Sequence, residues 1–116
     1  MSSENKIKIC GDFCKFTLDK SHYISVYVYE SNGEIQGFIG LNREYIEGIF
    51  VCDKLQSQGI GKLLLDFIKE RRTKLSLNVY EKNIRAIHFY QREGFEIQDE
   101  GIDEATGEKD YIMIWQ

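Results

Sequence analysis

The residues whose types and spacing point most directly to chemistry are Gln56-Ser57-Gln58-Gly59-Ile60-Gly61-Lys62. They follow the apolar run Ile49-Phe50-Val51 and open a stretch with helical periodicity. Glycines at 59 and 61 let the backbone turn tightly, so that the free N–H groups of a helix start converge on one spot beside the positive end of the helix dipole. Such a nest binds a phosphate or pyrophosphate, and Lys62 adds positive charge. A GxG pair alone also makes an ordinary turn. The spacing is not that of a GxxxxGK[ST] loop, and neither a GxGxxG run nor an acid closing a βαβ unit is present to make a dinucleotide fingerprint. Cys10, Cys14 and Cys52 are odd in number and form no CxxC, and His22 and His88 are the only histidines that could join them. They read as free thiols rather than as metal ligands.

The elements that must position this loop can be followed along the chain. Lys6 to Cys10 fits a short strand, and Gly11 to Lys20 has no clear period. Tyr23 to Glu30 alternates Ile24/Val26/Val28 against Tyr23/Ser25/Tyr27/Tyr29, and Asn32-Gly33 then turns the chain into Glu34 to Leu41, which predicts a hairpin. Tyr45 to Cys52 and Leu75 to Tyr80 read as further strands. Between them Ile60, Leu63, Leu64, Phe67 and Ile68 fall on one helical face. A second helix starts at Asn83, a good N-cap, carries Ala86, Phe89 and Tyr90 on one face, and stops at Gly94. Phe95 to Ile102 and Lys109 to Gln116 close the chain as two strands around an acidic loop. The order predicts a single α/β (α+β) domain over residues 1–116, built on a mixed sheet.

Composition narrows the function classes. With 116 residues, 42% apolar and 29% charged, the chain suits one compact domain that needs no disulfide or metal staple. No apolar run approaches the length of a membrane span, and residues 1–6 lack a signal peptide's hydrophobic stretch, which predicts a cytoplasmic protein with no membrane partner. The net charge of −4 disfavours nucleic acid. Yet Gln58 to Arg92 holds eight basic residues against three acids, while Asp99 to Asp110 sets six acids against Lys109. One basic segment on an acidic chain suits a small polyphosphate better than a long duplex, although a solvated helix face has the same composition.

Two motifs together carry a family resemblance. Gln58-Gly59-Ile60-Gly61 resembles the end of the acyl-CoA pyrophosphate loop of the GNAT superfamily of N-acyltransferases, Gln/Arg-x-x-Gly-x-Gly/Ala. Asn83-x-x-Ala86-x-x-Phe89-Tyr90-x-x-x-Gly94-Phe95 resembles that family's downstream signature, and the likeness extends over about His22 to Gln116. It implies a GNAT-like, mostly antiparallel, twisted sheet whose central strands, Tyr45–Cys52 and Leu75–Tyr80, splay apart. The pantetheine arm would lie in that gap like an added strand, bonded to backbone at Phe50 and Val51. Gly48 would mark a bulge that helps the splay. Gln58, Gly59, Ile60, Gly61 and Lys62 would present N–H groups to the pyrophosphate, and Asn83 would contact the cofactor. The implied reaction is transfer of an acetyl group from acetyl-CoA to a primary amine of a small molecule or peptide, in a ternary complex and without metal. Tyr90 matches the residue that protonates the departing thiolate, its alternative being a core aromatic. Alternation places Tyr45, Glu47, Ile49 and Val51 on one face, which makes Glu47 the candidate base; a salt-bridged surface glutamate is the alternative. His22 and His88 read as structural, His88 lying about 160° from Tyr90 around a helix. Cys52 has no dedicated histidine to make it a nucleophile.

The sequence departs from the family pattern before the hairpin. Complete members carry a strand and two helices there, whereas 22 residues hold one short strand, so the fold is expected to lack most of the N-terminal helices. Asp53 also replaces a usual proline. The acceptor side is abbreviated, which leaves room for a CoA-binding or regulatory module, or a subunit completed by a partner. Apolar surface near Tyr23, Tyr27 and Phe38 would be exposed, which predicts a homodimer.

Overall fold

The computed structural model describes residues 6–16, 19–31, 33–52 and 59–116, with side chains from Ser25 onward. The chain forms two compact units, residues 1–72 and 73–116. Every ladder within either unit is antiparallel.

The first unit is a meander, β1 (Lys6–Phe16), β2 (Asp19–Ser31), β3 (Glu34–Asn42) and β4 (Tyr45–Val51), followed by α1 (Ile60–Lys69). β1 runs well past the short strand expected from sequence, and β2 begins at Asp19 within the segment that lacked a period. The reason lies in two register shifts, between Ile9 and Gly11 and between Cys14 and Phe16. Each bulge resets the alternation that a period-two reading depends on. The β2–β3 turn sets Gly33 at φ 80, as an Asn-Gly hairpin requires. The β3–β4 turn places Arg43 at φ 59, and Arg72 donates from Nε to the Arg43 carbonyl at 3.1 Å.

Ile39, Leu41 and Ile46 form the floor on which α1 packs, and Ile60, Leu64, Leu65 and Ile68 are its buried face. This corrects the expected stripe at one position: Leu63 is 46% exposed and Leu65 takes its place. Three consecutive leucines permit either rotation of the helix, and packing chooses between them. Tyr27, expected on exposed surface, is buried, its ring 5.5 Å from that of Phe67 on α1. The helix covers the Tyr27 face of the hairpin; on the opposite face Phe38 is 40% exposed while its cross-strand partner Val28 is buried.

The second unit holds β5 (Leu75–Tyr80), α2 (Ile84–Arg92), β6 (Glu96–Ile102) and β7 (Lys109–Trp115), with β7 inserted between β5 and β6. Leu75, Leu77, Val79, Ile87, Phe95 and Met113 are buried. The Asn83 side chain accepts from Ala86 N at 3.2 Å, capping α2 as its residue type predicts. Gly94 ends the helix at φ 93, where an added Cβ would stand 3.2 Å from Trp115 Cδ1. Of the expected α2 face, Ala86, Phe89 and Tyr90 are half-buried, whereas Ile87 is the buried residue.

Candidate functional site

At the start of α1, Gly59 is the N-cap, in the left-handed region at φ 80 and ψ 10, and no side chain caps the helix. The first intrahelical bond runs from Leu63 N to Gly59 O at 3.0 Å, so the N–H groups of Ile60, Gly61 and Lys62 precede any acceptor in the helix. A Cβ added at Gly59 meets no atom within 4 Å. The glycine is therefore required by its backbone angle rather than by crowding. No acid lies in the first turn, and Lys62 pairs with Asp66 at 3.3 Å on the exposed side of the helix. A helix start without a side-chain cap, positively polarised by its dipole, has the chemistry of an anion site, and it suits a pyrophosphate. Gln58 lies outside the described residues.

Gly37 on β3 seats this helix end, and the sequence reading missed it. A Cβ there would stand 2.9 Å from Phe50 O and 3.2 Å from Ile60 Cγ2. Glycine lets the end of β4 and the first residue of α1 close over β3. The available signal was a glycine inside a strand, which marks close approach of backbone.

β4 carries the expected irregularity. Its ladder with β3 pairs Leu41 with Ile46 but Gly40 with Gly48, so Glu47 is the extra residue of a bulge. This corrects the simple alternation: Ile49 stands opposite the buried Ile39 and Ile46 opposite the buried Leu41, which puts both on the α1 side and takes Glu47 out of step with Ile49. Phe50 is 53% exposed and stacks on its cross-strand partner Phe38, ring centroids 5.5 Å apart. Val51 is half-buried, and Cys52 N donates to Gln36 O at 3.0 Å, carrying the ladder one step past the strand. Cys52 is a free thiol.

In the second unit the Tyr90 ring lies between Phe89 and Phe95, with centroids 5.2 and 5.5 Å away in edge-to-face geometry. Burial pushes its phenol up to about 12 by removing water from the would-be phenolate. The group stays protonated at any ordinary pH, which suits a proton donor. Asn83 is also accounted for: its Oδ1 caps the helix, leaving the amide N–H₂ as the donor a ligand could meet. His88 is exposed and lines, with Gln91 and Arg92, an open depression on α2.

The acidic segment is less of an unbalanced charge than its composition suggests. Lys82 pairs with Glu108 at 2.9 Å, while Lys109 pairs with Glu100 at 3.2 Å and Glu81 at 3.5 Å. Tyr80 donates to Asp103 at 2.5 Å and Tyr111 to Glu81 at 3.0 Å. The carboxylate beside it raises the Tyr80 phenol, and the same bond, ahead of the Ala105 N–H, lowers Asp103. These contacts tie the β6–β7 hairpin to the segment that leads into α2. Among the described residues no group of three or more side chains could hold a metal ion, and no helix is long and apolar enough to cross a membrane.

Each unit, a strand meander followed by a glycine-entered helix and a hairpin with a helix capped by Asn83, is of an α+β kind, and comparison with known proteins identifies the class. The family model for the acetyltransferase (GNAT) domain matches residues 22–97, and the chain belongs to that family. It is 37% identical over 90 residues to the peptidyl-lysine N-acetyltransferase YiaC of Escherichia coli, an alignment covering 77% of this chain and 62% of YiaC. It is 34% identical over 61 residues to the peptidyl-lysine N-acetyltransferase YjaB of Salmonella typhimurium, covering 53% of this chain and 42% of YjaB. The chain thus spans less than two thirds of the length of either relative. A GNAT family acetyltransferase from Elizabethkingia anophelis, solved with acetyl-CoA bound, superposes with a TM-score of 0.73 at 22% identity over 80% of this chain and 76% of that one. Apo YjaB from Escherichia coli superposes with a TM-score of 0.71 at 20% identity, over 78% and 63%. The fold is that of the GNAT acetyltransferases, a mixed, mostly antiparallel sheet with two helices.

Proposed function

We propose that this chain is an acetyl-CoA-dependent N-acetyltransferase that passes the acetyl group directly to a primary amine, of a small molecule or a peptide, within one ternary complex. The observation that carries the reading is the start of α1, which has no side-chain cap and is entered through Gly59 at φ 80, where an added Cβ meets no atom within 4 Å. The N–H groups of Gly59, Ile60, Gly61 and Lys62, with Gln58 before them, take the pyrophosphate, and backbone at Phe50 and Val51 bonds the pantetheine arm. Asn83 contacts the cofactor through its amide. Acetyl-CoA supplies the activated acyl group. The neutral amine attacks the thioester carbonyl, the C–N bond forms and the C–S bond breaks. Tyr90 gives its proton to the departing thiolate, and Glu47, directly or through water, takes the proton the amine loses. No metal enters the reaction.

The whole is read as one domain acting in the cytoplasm. A twofold homodimer belongs to the same reading, supported by the apolar side chains of Ile35 and Phe38, 60% and 40% exposed. The second copy covers Ile35 and adjoins the acceptor side. Calorimetry with acetyl-CoA and CoA tests the cofactor half: micromolar binding of both is expected, and no heat at millimolar ligand overturns the reading. Sedimentation at tens of micromolar tests the dimer, which a monomeric boundary rejects.

A further inference from the structure

Three consecutive residues between β5 and α2 are each tied to the β6–β7 hairpin. Tyr80 donates from its hydroxyl to Asp103 Oδ2 at 2.5 Å, Glu81 accepts from the Tyr111 hydroxyl at 3.0 Å and pairs with Lys109 at 3.5 Å, and Lys82 pairs with Glu108 at 2.9 Å. Register sets Tyr80 opposite Asp110 and Val79 opposite Tyr111, in adjacent rows, so the Tyr80 and Tyr111 bonds hold the segment from opposite faces of the sheet. The backbone is held as well. Glu81 N donates to Lys109 O at 2.9 Å, and Asn83 N donates to Tyr80 O at 2.9 Å, which closes a turn whose last residue is Asn83.

Apolar packing does not account for this grip, because every residue of β6 and residues 104–107 of the hairpin loop are exposed. One exposed pair of this kind contributes little to stability, but several converging on three successive residues restrict where the segment can lie. What the restricted segment delivers is Asn83. Its Oδ1 is committed to Ala86 N at 3.2 Å, so the turn decides where its amide N–H₂ is aimed. We propose that the β6–β7 hairpin is a clamp that aims Asn83 at acetyl-CoA, with Tyr80 and Glu108 as positioning residues that act through Asn83. The assignment rests on the acetyltransferase reading, in which the Asn83 amide contacts the cofactor, and it adds the residues that hold that amide in place.

The test is calorimetry of the full chain with acetyl-CoA for Tyr80→Phe and Glu108→Gln, each alone and combined with Asn83→Ser. Serine keeps a capping oxygen at the start of α2 but has no amide donor. Each clamp variant should weaken binding by about threefold or more beside Asn83 and by much less beside Ser at that position, as expected of residues that act through one another. Glu108→Gln gives the sharper sign. It removes a negative charge, which by electrostatics alone would tighten the binding of an anionic cofactor, so weaker binding is the signature of the clamp. Wild-type affinity in both clamp variants, or the same loss with and without Asn83→Ser, would overturn the clamp while leaving the transferase reading standing. Failure of the wild type to bind acetyl-CoA would instead overturn that reading and the clamp with it.

Discussion

Gly59 separates two effects that are usually confounded, because its backbone angle demands glycine while its surroundings do not. At φ 80 an L-residue costs about 1–2 kcal/mol. Gly59→Ala should therefore lower unfolding stability by roughly that amount, read as a shift of the urea midpoint. The methyl group enters open space, so acetyl-CoA affinity should change by less than about threefold. Gly59→Glu carries the same backbone cost and adds a carboxylate within reach of the proposed pyrophosphate. Two unit charges about 4 Å apart at the effective dielectric of a protein surface repel by about 4 kcal/mol, and solvent exposure reduces this to as little as about half. A loss of about 30- to 1,000-fold in affinity follows for Glu but not for Ala. The two variants should be equally destabilised and differ only in binding, and the difference should shrink in high salt. Equal acetyl-CoA affinity in the two variants would refute the placement of the pyrophosphate at this turn.

Gly37→Ala would set a Cβ 2.9 Å from a backbone oxygen, so a loss of about 1–3 kcal/mol in stability is expected, together with weaker acetyl-CoA binding as the start of α1 is displaced; unchanged urea midpoints would contradict it. Tyr90→Phe should lower kcat at least tenfold, about 1.4 kcal/mol, with acetyl-CoA affinity nearly unchanged, whereas equal loss of binding and rate would make Tyr90 a packing residue. The same variant has a stability signature. The folded phenol titrates near 12 against an ordinary 10.0, so its contribution is fully present below about pH 10 and lost as the pH rises to about 12. The wild type should lose roughly 2–3 kcal/mol more than Tyr90→Phe across that interval in urea titrations. Glu47→Gln should reduce turnover most at low pH, where more of the acceptor amine is protonated, and an unchanged pH profile would remove Glu47 as the base.

What the sequence made legible was local chemistry, and what it hid depended on packing or register. Asn83 as a cap, Gly94 as a stop and the Gly59 turn follow from residue types with few alternatives, and the structure places all three as expected. The bulge at Gly48 was legible for the same reason, a glycine inside a strand. Its consequence was not, since a single inserted residue reassigns faces and takes Glu47 out of the Ile49 alternation. The length of β1 was lost to two such shifts. Leu63 and Leu65 exchange roles because a run of leucines does not say which way a helix is turned. Tyr27 could be placed on a face of its strand, but only the docking of α1 shows that face to be covered. The paired charges around Glu81 and Lys109 join residues far apart in sequence, where counting had shown only a net acidic segment.

The central claim is transfer as well as binding, and a single-turnover experiment tests both. With enzyme in excess over acetyl-CoA and a primary amine such as Nα-acetyl-lysine methylamide present, mass spectrometry of the quenched mixture should show the newly N-acetylated amine and free CoA appearing together in equal amounts. Acetyl-CoA that binds in the micromolar range yet persists unchanged, with no amide formed, would contradict the enzyme reading and leave a CoA-binding module in its place.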